Sequence, residues 1–101
     1  MPETHWKNTY DLTEEQYGKL ESAEDFMDMM QLEKAESLLL SMLDENSKMI
    51  PVLNNLGHLY GRHLSEFEKA IEYYDKVLEI EPDNAWAMDE RRRYRRYLTY
   101  D

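Results

Sequence analysis

The side chains that could do chemistry in this sequence are three histidines, many carboxylates and one dense run of arginines. There is no cysteine, which removes thiolate nucleophiles, disulfides and thiolate metal sites together. His58 and His63 stand five residues apart, whereas two ligands share one face of an α-helix at a spacing of four. His5 lies far from both in sequence. No glycine-rich stretch could cradle a phosphate, so neither a metal nor a cofactor is expected. The carboxylates fall at solvent-facing spacings that give no reason for a raised pKa, and the chain is expected to be no enzyme.

Arg91, Arg92, Arg93, Arg95 and Arg96 form the basic patch, interleaved with Tyr94 and Tyr97. Residues 91–101 balance at +4, which leaves −14 on residues 1–90 and −10 on the whole. On a helix the five arginines spread over nearly all faces. Three readings compete for them. They solvate a helix and pair with acids such as Glu72, Asp75 and Glu79, at under about 1 kcal/mol for each exposed pair. They meet an acidic protein, including another copy of this chain. Or they bind RNA or single-stranded DNA with tyrosines stacked between bases, against which the acidic body weighs.

The elements that must position these groups are helices. Thr13 and Gln16 spell a capping box that opens a helix through about residue 29. A second helix is expected over 32–43, a third over 48–60 with Pro51 in its first turn, a fourth to about residue 80 and a fifth over 85–98. Gly61 to Leu64 read as a turn, and Ser65–Glu68 repeat the capping-box grammar. Pro82 and Asn84 end the fourth helix and cap the fifth. With 42% hydrophobic residues the 101-residue chain can build one domain. No apolar run approaches the ~18 residues that would cross a bilayer, and the first residues lack a secretion signal, so a cytoplasmic location is expected.

Two stretches repeat each other. Ala23 and Phe26 recur 34 residues on as Gly57 and Tyr60; Leu32, Ala35, Leu39, Met42 and Leu43 recur 35 on as Phe67, Ala70, Tyr74, Val77 and Leu78. At Leu53, Leu56, Gly57, Tyr60, Phe67, Ala70, Tyr74, Val77 and Pro82 the chain resembles the tetratricopeptide repeat (TPR) family, with one extra residue between Tyr60 and Phe67. The resemblance implies an all-α fold of antiparallel hairpins stacked as a short right-handed superhelix. It divides the chain into an extension 1–12, a domain 13–98 (repeats 16–49 and 50–84, capping helix 85–98) and a tail 99–101. In the capping helix Arg91, Arg92 and Arg95 take the Leu, small and Tyr positions, as suits a polar end of an array. Two repeats are few for independent stability, which points to self-association or to docking on a partner.

In the family the first helix of each hairpin lines a concave groove that binds peptides. The resemblance places Tyr17, Leu20, Glu24 and Met27 there from the first repeat. Asn54, Asn55, His58 and Arg62 follow from the second, and Trp86, Asp89, Glu90, Arg93 and Tyr97 from the cap. Tyr17, Leu20 and Trp86 could equally be ordinary core. Co-chaperones of the family grip the C-terminal carboxylate of heat-shock chaperones with lysines, an arginine and asparagines. Only Asn55 matches that clamp, while Leu20, Glu24, Trp86 and Glu90 replace the rest, so that partner is not expected. The function these features imply is a non-catalytic adaptor or assembly chaperone. The alternatives are a nucleic-acid-associated regulator and a self-assembling scaffold. Met27, Met29 and Met30 are expected to pack at the first hairpin turn.

Overall fold

A computed structural model describes Tyr10 and residues 12–99. Among them are five α-helices and no strand: α1 (Glu14–Asp28), α2 (Leu32–Glu45), α3 (Ile50–His58), α4 (Phe67–Ile80) and α5 (Ala85–Thr99). Trp6 and His5 lie outside the described residues. Tyr10 is half-buried and its hydroxyl donates to Glu81 Oε1 at 3.2 Å, which holds this residue against the α4–α5 connection.

The helix starts differ in how they are held. Gln16 N–H donates to Thr13 Oγ1 at 3.0 Å and Thr13 N–H to Gln16 Oε1 at 2.9 Å, the reciprocal pair of a capping box. Asn84 Oδ1 accepts from Ala87 N–H at 2.9 Å and caps α5. The expected second box at Ser65–Glu68 does not form. Glu66 is the N-cap of α4 without a side-chain cap bond, and Ser65 holds a left-handed φ of 56° that points it away from that duty.

The connection after α3 is the main departure from the sequence reading. Residues Leu59–His63, of which Gly61 onward reads as a turn, continue α3 as a π-helical turn. The two hairpin turns explain why. In the first, Gln31 N–H reaches back five residues to Phe26 C=O (2.8 Å) and Met30 N–H to Met27 C=O (3.0 Å). Met30 sits at φ 61°, completing a Schellman cap. In the second, Leu64 N–H bonds to Leu59 C=O (3.1 Å) and Glu66 N–H reaches back six residues to Tyr60 C=O (2.7 Å). The extra residue is therefore absorbed inside the helix as a π-bulge, and the chain leaves by an equivalent left-handed residue.

Both hairpins then pack alike. Lys34 Nζ lies 5.8 Å over the Phe26 ring, and Lys69 Nζ, 35 residues on, lies 4.6 Å over Tyr60. Ala23, Ala35, Gly57 and Ala70 are buried where helices approach closely. Tyr74 lies over Gly57 so closely that a Cβ there would stand 2.5 Å from the ring. Tyr60 stacks on Tyr73 at 5.5 Å and donates to Glu36 Oε2 at 2.6 Å, joining the two hairpins.

The last helix uses one face only. Ala87, Glu90 and Tyr94 are buried, each 35 residues after Val52, Asn55 and Leu59. Met88, Arg92 and Arg95 are exposed and Arg91 half-exposed; they follow Leu53, Gly57, Tyr60 and Leu56 by the same interval. In α3 that second set packs on the partner helix α4, and α5 has no such partner among the described residues.

Candidate functional site

The helices α1, α3 and α5 stand side by side and their outward faces make one surface. Asn55 Nδ2 on α3 donates to Glu24 Oε2 on α1 at 3.2 Å and to the Pro51 carbonyl at 3.1 Å. On the other side, His58 and Trp86 of α5 approach with ring centroids 6.5 Å apart. These contacts bring Glu24, Asn55, His58 and Trp86 together across three helices that are remote in sequence.

The remaining residues expected in the groove divide by burial. Leu20 and Met27 are 2% and 3% exposed and belong to the core beneath it. Tyr17, Asn54 and Arg93 are half-buried, whereas Arg62, Asp89 and Tyr97 are exposed. Trp86 is 49% exposed, an aromatic surface left open to solvent. Met29 and Met30 are exposed at the hairpin turn rather than packed there. Only Met27 of the three packs inward.

Electrostatics set this surface apart from the rest of the molecule. Glu90 is buried, at 3% exposure. Its Oε2 lies 3.6 Å from Arg93 Nη2, an ion pair too long for a hydrogen bond, and its Oε1 has no partner. The hydroxyls of Tyr74 and Tyr94 and His58 Nδ1 are likewise buried and unpartnered. Burial pushes the Tyr74 phenol up, and the charges of Glu90 and Tyr94 add to the shift. Tyr94 is pushed up by burial and Glu90, with Arg62 opposing. Burial, then His63 and Arg62, push the His58 imidazole down, partly offset by Glu90 and Asp28. Burial raises the Glu24 carboxyl against the bond from Asn55, and Glu21, Asp28 and Asp25 raise it further.

The five-residue spacing of His58 and His63 has a different outcome from the one expected. The π-turn widens the helix so that their rings meet edge to face at 5.3 Å. No group of three or more His, Cys, Asp or Glu able to hold a metal occurs among the described residues. His63 was legible as a neighbour only to a reader who placed the extra residue inside the helix. Asp28, one turn beyond Glu24 on α1, completes the acidic edge; its i+4 spacing was the available signal.

Part of the basic patch is paired within the molecule. Arg91 Nη1 pairs with Asp75 at 2.9 Å, as the sequence suggested, but Glu72 and Glu79 are not used. Arg92 pairs instead with Asp89 on its own helix at 3.1 Å, and Arg93 with Glu90. A cleft of about 410 Å³ runs beside Asp89, Arg92, Arg93, Arg96 and Tyr97. No described helix is long and apolar enough to cross a membrane.

Compared with known proteins, residues 50–84 match the tetratricopeptide repeat family model. No curated protein and no solved structure matches the chain. The matched span is the α3–α4 hairpin with its π-turn, and the α1–α2 hairpin repeats its packing. Repeats of this kind serve protein–protein interaction. Residues 50–84 are thus similar to a tetratricopeptide repeat, within an all-α arrangement of helical hairpins.

Proposed function

We propose that the chain is an adaptor or assembly chaperone that holds a peptide or helix of a partner protein against α1, α3 and α5. The observation that carries this reading is the open ring of Trp86 beside His58, with Asn55 bridging to Glu24 on the same face. Exposed aromatic anchors next to fixed polar groups are what peptide grooves use, since one or two anchors carry most of the affinity.

A random-peptide display library selected on the full chain tests it. Enriched peptides should bind wild type and lose about tenfold or more in affinity to Asn55→Ala and Trp86→Ala. Peptides that bind all three chains equally would place the interaction elsewhere.

A further inference from the structure

The groove face carries two acids, Glu24 and Glu90, and the pairing of Glu90 is incomplete. Glu90 is removed from water, with one oxygen 3.6 Å from Arg93 and the other without a partner. A carboxylate so placed is disfavoured unless it is paired and hydrogen-bonded. In the preceding hairpin the position 35 residues earlier is Asn55, a neutral amide with two bonds made. Across α3, Glu24 accepts from that amide, and its charged neighbours among the described residues are the acids Glu21, Asp25 and Asp28.

The arginines that could have answered this charge are engaged elsewhere. Arg91 and Arg92 pair with Asp75 and Asp89, and Arg62 places its charge beside the phenols of Tyr94 and Tyr74. Trp86 stands one turn before Glu90 on α5 with half of its surface open. An aromatic face beside an incompletely paired carboxylate suits a flat or compact cation, which stacks on the ring and donates to the oxygen. The net charge of −10 would draw such a cation in from a distance.

Resting on the groove reading above, we propose that the occupant is a basic segment of a partner protein. One lysine or arginine side chain passes the Trp86 ring to donate to Glu90 Oε1, and a second cation meets Glu24. The free hydroxyls of Tyr74 and Tyr94 then share the donors of the incoming group.

The library selection already described decides this by what it enriches. Peptides dependent on Trp86 and Asn55 should carry several times more Lys and Arg than Asp and Glu. A selected arginine peptide should weaken about tenfold or more on replacing its arginine by citrulline, which keeps the shape and removes the charge. It should weaken similarly on Glu90→Gln, with Arg95→Ala as the unaffected control. Unchanged circular dichroism and melting show that Glu90→Gln still folds. Enrichment of acidic peptides that depend on Trp86 overturns the basic occupant and leaves the groove standing. Tight binding of an RNA oligonucleotide, lost in Arg95→Ala with Arg96→Ala while no basic peptide is enriched, overturns it too. Peptides indifferent to Trp86, Asn55 and Glu90 remove the groove itself.

Discussion

Gly57 and Gly61 face the rings of Tyr74 and Tyr94, and at each a Cβ would stand 2.5 Å from the ring tip. Both rings are buried and stacked on one another at 6.3 Å, with Phe67 against Tyr94 at 5.6 Å, so neither can yield alone. Gly57→Ala and Gly61→Ala should therefore each destabilise the fold by about 1–3 kcal/mol, read from urea unfolding. Ala at Gly18, where an added Cβ would meet no packed neighbour, should instead stabilise by about 0.5–1 kcal/mol through helix propensity. Gly57, Ala70 and Tyr74 were legible because small and aromatic residues alternate at a fixed interval. The burial of Glu90 was not. Its neighbours in sequence are Asp89 and arginines, and only the lean of α5 onto α3 and α4 takes it out of water.

At the level of elements, the two hairpins solve one problem with different residue counts. The first spends Met30 at a left-handed φ where glycine is preferred, and its side chain is 63% exposed. Met30→Gly should relieve that strain without loss of packing and stabilise the chain by about 0.5–1 kcal/mol, measured as a shift in the urea midpoint. The second hairpin absorbs its surplus residue in the π-turn. The change of interval from 34 to 35 announced that residue, but not where it would go. Gly61 with two polar neighbours looks like a turn by local preference, and burial of Leu59, Tyr60 and Gly61 overrides that preference. Ser65 failed as a cap for a related reason, since the widened helix delivers it in the left-handed region.

For the molecule as a whole, the stacked tyrosines tie its stability to alkali. Tyr60, Tyr74 and Tyr94 all sit above the ordinary phenol value of 10.0, chiefly through burial. The unfolded chain releases these protons near pH ~10 while the folded chain keeps them. Stability should thus be complete below that pH and fall as pH rises through it. Melting followed by circular dichroism should show the decline, and Tyr74→Phe should blunt it, since its hydroxyl has no partner to lose. The all-α stack could be read from spacing, because periodicity records which faces must be hidden. Charge pairing could be read only in part: Arg91 met Asp75 as expected, but Arg92 and Arg93 found acids on their own helix.

The exposed side of α5 carries a further consequence. Arg92 and Arg95 stand where Gly57 and Tyr60 let α4 lie flush against α3. Long charged side chains at those two places would hold a newcomer off by their bulk and demand water around them. Another coil could not be laid on that flank without first stripping two guanidinium groups of their hydration. Arg92 and Arg95 thus disfavour an added layer at this edge, whereas Phe26 and Leu38 border a shallow hollow of about 480 Å³ elsewhere on the stack.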